Sequence, residues 1–408
     1  MPEEDSILSK PPHLHPNFSK ILFLLFALVL LPFQLELQAS KNAEENPTEN
    51  PARSFPEKIH QAYGYVMEGK FDQSSSLFEK LLKTNPDEFV VYDAYAQACE
   101  FGGNYLRAIM IYKRWIARDR LLTREETKEA SKKIEELKKK QEFSETMLHA
   151  ESWEWAPTYQ TDKFLVKTNI PEKYHAQVLD QLRQIIRSEK DILQNIFGYP
   201  ANQRDWMKVF ITGRREDYFQ LLRELKKSKP APVFPTASYF HETKTIAILF
   251  DGLIDQTVLT HEVAHYLIQN HYVQIPSPIL NEGLAEYLAY KLAKESAKSR
   301  LRENLGYMNW LYDQGLWESA LEDPSKNPYP GDRVFYLRAW TLIYFLLEGG
   351  GPFFNTFFKK YLDHERNNLV NNFETSWKFF QQNLTKEQFR NLNNKWQEFT
   401  LNLTYEKI

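Results

Sequence analysis

The sequence predicts an α+β protein, with helical hairpins first, then a mixed sheet with helices, then a segment that is helical throughout. Three observations lead there. A stretch from about residue 55 to 120 repeats itself at an offset of 34 residues. After Ser152, short β-branched runs alternate with amphipathic helices. From Arg300 onward, aromatic residues recur at helical spacing.

Size and charge narrow the classes. A chain of 408 residues holds two or three domains and a sizeable core. Its net charge of −3 gives no case for nucleic acid or for a strongly acidic substrate. With 28 Phe, 22 Tyr and 9 Trp, the chain is too aromatic for general disorder. Cys99 is the single cysteine, so an internal disulfide is impossible. Its helical neighbours mark it as a small core residue rather than a nucleophile.

Residues 1–40 read as a signal peptide or signal anchor. Ile21 to Leu31 is an uninterrupted apolar run behind Lys20, followed by Pro32 and a small-residue cleavage site at Ala39-Ser40. The run is shorter than the roughly 20 residues that span a bilayer, which favours an export signal. The acidic Glu3, Glu4 and Asp5 depart from that pattern, and an uncleaved membrane anchor through residues 21–33 is the alternative. Either way the protein is expected to be exported, in a periplasmic or other extracytoplasmic space. Residues 41–55, rich in Asn, Glu, Pro, Ser and Thr, form a flexible linker.

Residues 56–147 carry the repeats. Gly69-Lys70-Phe71 recurs as Gly103-Asn104-Tyr105, and Phe78 recurs as Tyr112. That period, with a small turn residue and an aromatic just after it, resembles tetratricopeptide repeats, antiparallel helix pairs that stack side by side. Ala108 fits the family's preference, whereas Ser74 stands at the same place in the first copy. Thr123 to Met147, rich in Lys and Glu, supplies a capping helix with a solvated charged face. The repeats serve either as a docking groove for a protein partner or as a support for the next domain.

Residues 150–300 supply the sheet. Phe164–Thr168 and Met207–Thr212 read as strands, separated by a long amphipathic helix from Pro171 to Phe197. Glu216 to Leu225 is a second helix, and Ala237–Phe240 with Thr243–Leu249 forms a hairpin turning at His241-Glu242. Residues 301–408 are helical, with segments at 333–348, 352–364, 373–383 and 385–401. Gly349-Gly350-Gly351-Pro352 is a C-cap and turn, since a phosphate loop would need Lys and Ser or Thr after the glycines.

The chemistry lies in His261-Glu262-Val263-Ala264-His265. Residues i and i+4 share one helix face, so His261 and His265 can grip one zinc ion. Glu262 stands where a carboxylate reaches a zinc-bound water without being a ligand itself. Glu282 is the natural third ligand. It follows a short turn containing Pro276 and Pro278 and opens a second helix, with Asn281 as N-cap. The bland alternative is a buried helix whose histidines are merely hydrogen-bonded, with Glu282 a first-turn carboxylate favoured by the helix dipole. A structural zinc site would fill its fourth position with cysteine or histidine, and no cysteine is near. His241, in a turn, and His271, on the wrong face, read as surface histidines.

With Asn281-Glu282-Gly283-Leu284-Ala285-Glu286 downstream, the chain resembles the gluzincin metallopeptidases, and more narrowly the bacterial peptidase MA-like proteins. The resemblance implies a thermolysin-like domain, a mixed sheet plus zinc helix and then a helical subdomain, preceded here by the α-helical hairpin array. It implies His261, His265 and Glu282 as ligands of Zn2+, and Glu262 as the catalytic carboxylate. Glu286 matches a carboxylate that orients a zinc-binding histidine. The strand Thr245 to Leu249 would lie at the sheet's edge and pair with an extended peptide. Tyr336, in Phe335-Tyr336-Leu337-Arg338-Ala339-Trp340, would line the cleft and donate to the oxyanion. By spacing alone, Tyr336 is equally an aromatic of the core stripe that continues with Trp340 and Ile343. Arg333 and Arg338 are further candidates for binding a substrate carboxylate or carbonyl. The tryptophan that the family often carries before Asn-Glu-Gly is replaced by Pro278-Ile279-Leu280, a departure that touches packing and leaves the ligands in place.

The expected activity is zinc-dependent hydrolysis of a peptide bond in a protein or peptide substrate, with Glu262 as general base. The alternative is a non-enzymatic adaptor, in which the repeats bind protein partners and the peptidase-like domain is inactive.

Overall fold

A computed structural model of the chain describes residues 55–67, 69–118, 124–147, 158–160, 164–198, 206–226, 236–272, 274–313, 333–367 and 373–403. The expected signal or anchor at 1–40 and the linker up to residue 54 lie outside them. No helix among the described residues is long and apolar enough to cross a membrane. The architecture is α+β, mostly helical with one small mixed sheet.

Helices α1 (Phe55–Met67), α2 (Phe71–Thr84), α3 (Phe89–Phe101) and α4 (Tyr105–Ile116) pack on a core of their own. The turns before α2 and α4 each place a glycine at φ +74°, Gly69 and Gly103, where a Cβ would be strained. Phe78 and Tyr112, related by the same 34-residue offset, are both buried at the centre, and Phe78 stacks on Tyr95 at 5.0 Å. Cys99 is buried here, and burial pushes its thiol up to about 11, so it is an inert core residue.

Helix α5 (Arg124–Met147) links these hairpins to the rest. Lys140 pairs with Glu100 of α3 and with Asp251, each at 2.8 Å. One turn on, Phe143 packs edge-on against Phe250 at 5.0 Å. The segment that leads into the motif helix is therefore tied to the repeats by both charge and packing.

The sheet runs β1 (Thr158–Gln160), β2 (Phe164–Thr168), β3 (Met207–Thr212), β5 (Thr245–Leu249) and β4 (Ala237–Phe240) in spatial order. Strands β2, β3 and β5 are parallel, and β1 and β4 are antiparallel edges. A 3₁₀ turn at Glu172–Tyr174 and helix α6 (His175–Phe197) cross from β2 to β3, and α7 (Arg215–Lys226) follows β3. One expectation is corrected here. Thr245–Leu249 is not an edge strand; it is buried at all five residues between β3 and β4. Its unbroken apolar run explains why. Ile246 and Ile248 join the main core, while Ala247 and Leu249 face Tyr218, Leu221 and Leu222 of α7, so both faces are covered. The edge on that side of the sheet is β4.

Helices α8 (Gln256–Gln269), α9 (Pro278–Leu292), α10 (Lys294–Asp313) and α11 (Arg333–Tyr344) follow. A π-helical turn at Phe345–Gly349 leads into α12 (Gly351–Asn367), α13 (Phe373–Asn383) and α14 (Lys386–Leu401). Asp255 caps α8, its Oδ1 accepting from the Thr257 and Val258 amides at 2.9 and 3.1 Å. Helix α9 begins at Pro278, so Asn281 is a buried residue within it and not its N-cap. Proline suits a first helical position because its fixed φ is helical and no N–H is left over. The amide of Ser277 just before it donates to Glu365 at 2.8 Å, anchoring the helix start to α12.

Candidate metal centre

Helix α8 presents His261 and His265 one turn apart, and α9 crosses it with Glu282 in its second turn. His261 Nε2, His265 Nε2 and Glu282 Oε2 form a triangle with sides of 3.0, 3.3 and 3.4 Å. In a tetrahedral zinc site with bonds of about 2.0–2.1 Å, donor atoms stand about 3.3–3.4 Å apart. Both imidazoles are buried, and Glu282 is nearly so. These three side chains could hold one metal ion.

No family model matches this chain, and no curated protein matches it in sequence.

The charges fit a cation as well as the distances do. Burial pulls the His261 imidazole down, yet the flanking Glu282 and Glu286 outweigh it and raise its pKa to about 10. Burial likewise opposes ionisation of Glu282, and the two imidazoles reverse it, holding the carboxyl far below its usual range. The field therefore favours positive charge at the centre of the triangle. Glu262, Glu282 and Glu286 bring three carboxylates and Arg300 one guanidinium, and a divalent cation offsets the two charges left.

Glu286 stands one helical turn beyond Glu282, its Oε1 3.3 Å from His261 Nδ1. Arg300 of α10 donates to the same oxygen at 2.6 Å. Glu286 is thus fixed between a ligand candidate and a guanidinium, and its pKa is held down by Arg300 and His261 against the effect of burial. Asn304 donates to the Tyr290 hydroxyl at 2.6 Å behind this pair, which closes the support on the α10 side.

Glu262 lies beside the triangle and contributes no vertex. Its Oε2 accepts the backbone N–H of Tyr239 at 2.6 Å. Tyr239 belongs to the edge strand β4, so an amide that an added strand would otherwise meet is turned onto this carboxylate. Burial raises the Glu262 pKa, with His261 and His265 pulling it back. Tyr336 of α11 faces the centre from another wall, its ring 6.3 Å from that of His261. Burial, with Glu282 and Glu286 nearby, lifts its pKa far above the ordinary tyrosine value, so the hydroxyl remains a donor. Arg333 begins α11, and Arg338, two residues past Tyr336, is turned toward another side of the helix.

Two histidine expectations are overturned. His271 is not on the surface; it is buried, with its ring 4.2 Å from that of Phe197 at the end of α6. His241 is half-buried and turned inward, its ring 5.9 Å from that of His265. Several contributors carry little local signal. Tyr239 acts through its backbone, and Arg300 reaches Glu286 across a helix corner. Gln269, not singled out from the sequence, follows His261 and His265 at the same four-residue spacing, and it accepts from the Tyr239 hydroxyl.

Glu189 is the outlier. It occupies the apolar stripe of α6 between Ile186 and Leu193, fully buried, and neither carboxyl oxygen has a hydrogen-bond partner among the described residues. Burial pushes its pKa well up, against a weaker pull from His261. Replacing an unpaired buried polar group by an apolar one of similar length removes a desolvation cost of about 1–3 kcal/mol. Glu189→Met is therefore expected to raise the denaturant midpoint of unfolding. A lower midpoint would mean that the carboxyl is satisfied and needed.

Proposed function

We propose that this chain is a zinc-dependent peptidase of the gluzincin type, carrying tetratricopeptide-like hairpins at its front. The observation that carries the proposal is the triangle of two imidazoles and one carboxylate with a second, non-vertex carboxylate beside it. A zinc ion held by His261, His265 and Glu282 would lower the pKa of a water toward about 7 and polarise a carbonyl.

The remaining work falls to the chain's own groups. Glu262, oriented by the Tyr239 amide, accepts a proton from water and returns it to the leaving amine. One water is thereby added across the C–N bond, giving an acid and an amine. The outer edge of β4, apart from the Tyr239 amide that Glu262 takes, lies alongside an extended substrate, the role the resemblance had assigned to β5. Tyr336 donates to the carbonyl oxygen as negative charge develops there. Glu286, clamped by Arg300, fixes the orientation of His261. Export directed by residues 21–33, and a protein partner on the hairpins, complete the proposal.

The deciding experiment digests a peptide library with the zinc-loaded protein and reads the products by mass spectrometry. Cleavage is expected, suppressed by a zinc chelator and restored by added zinc. One zinc per chain with no product from any peptide would sink the peptidase assignment and favour the adaptor.

A further inference from the structure

The turn from β4 to β5 brings in a side chain for which the peptidase assignment has no use. His241 follows β4 directly, and its ring lies 4.8 Å from that of Tyr239 and 5.9 Å from that of His265. Gln269, one turn beyond His265 on α8, bonds both the Tyr239 hydroxyl and the His241 ring. The imidazole is therefore oriented by a neighbour, as a catalytic group generally is. The residue as a whole is half-buried, while Nδ1 is itself enclosed and has no hydrogen-bond partner among the described residues.

Position adds to this. Tyr239 and His241 are two residues apart, and although His241 already lies in the turn, their rings remain neighbours. A peptide laid against the edge of β4 passes the Tyr239 amide and then this imidazole. Tyr336 stands beside His261, and His241 beside His265, so the two flank the candidate centre. His241 is not among the three residues whose donor atoms converge.

We propose that His241 is a further catalytic residue, donating a ring N–H to the carbonyl oxygen of the bond being cut from the His265 side of the centre. This deepens the peptidase assignment and rests on it.

The test compares the unmodified protein with His241→Phe, which keeps a flat ring against Tyr239 but has no N–H, and His241→Gln, which restores a donor. Zinc per chain, kcat and KM on a cleaved peptide, and the Kd of a phosphinic peptide mimicking the tetrahedral intermediate are measured for each. Removal of one such donor costs about 10²–10³ in rate. His241→Phe is accordingly expected to lose about 100-fold in kcat with KM within about threefold, and to bind the phosphinic peptide about 30-fold more weakly. Zinc content stays at the parent level, and His241→Gln recovers part of both losses. Should His241→Phe fail to fold, His241→Ala takes its place. Unchanged kcat and Kd overturn the proposal and leave the peptidase assignment standing. Loss of zinc in the variants overturns it in favour of a ligand role. If the unmodified protein binds zinc and the phosphinic peptide yet cleaves nothing, the peptidase assignment fails, while weaker binding by His241→Phe upholds the donor contact. No phosphinic binding by the unmodified protein sinks both.

Discussion

Glu262→Gln is expected to lower kcat by about 10³-fold or more while one zinc per chain remains bound. The substitution is selective because of what Glu262 touches. Its Oε2 accepts the Tyr239 amide at 2.6 Å, and a glutamine oxygen accepts that bond equally well. Strand β4 therefore keeps its place, and the side-chain volume is unchanged. What disappears is the capacity to take a proton. Glu262 supplies no vertex of the donor triangle, so the metal site is untouched. His265→Ala should behave in the opposite way, since it removes a vertex 3.0 Å from His261 Nε2 and 3.4 Å from Glu282 Oε2. Zinc per chain then falls below one, and activity falls with it. Metal analysis and peptide cleavage on the same two samples check the pair. Retention of hydrolysis within about tenfold in Glu262→Gln would remove the general-base role.

The sequence exposes some parts of this arrangement and hides others for physical reasons. The i, i+4 spacing of His261 and His265 is enough to put both on one helix face, and the second helix after it was visible in Glu282 to Glu286. The structure brings all three together. Strand order is another matter. An apolar run such as Thr245–Leu249 says that both faces are covered, and it was the expected edge position that conflicted with this. The edge strand next to β5, β4, contributes a backbone amide, which every residue type except proline offers, so no residue pattern marks it. His241 and His271 show the limit of judging a histidine by its neighbours in sequence. Phe197, 74 residues earlier, covers His271, and Gln269, from a different element, holds His241. The start of α9 shows local signals in competition, where proline's fit to a first helical position prevailed over asparagine's preference for a cap.

Gly283→Ala is expected to be the most damaging single methyl addition near the site. A Cβ at Gly283 would lie 2.5 Å from Cγ1 of Ile343 and 2.6 Å from the carbonyl oxygen of Ala339. The isoleucine can change rotamer, but the carbonyl belongs to the α11 backbone, so the two helices must separate. Each carries one side of the candidate centre, since α9 holds Glu282 and Glu286 and α11 holds Tyr336. Overpacking of this kind costs about 1–3 kcal/mol and occasionally more, against about 1 kcal/mol gained from alanine's better helix propensity. A net loss of about 1 kcal/mol or more is expected from denaturant unfolding. Because a shift of about 1 Å at a positioned group costs on the order of 10²-fold, zinc affinity by competition titration should fall at least tenfold. Gly64→Ala provides the contrast, because within α1 a Cβ there meets nothing within 4 Å. The same methyl should stabilise that helix by about 0.5–1 kcal/mol and leave zinc binding unchanged. If the two substitutions act alike, close approach of α9 to α11 is not what holds the third donor in place.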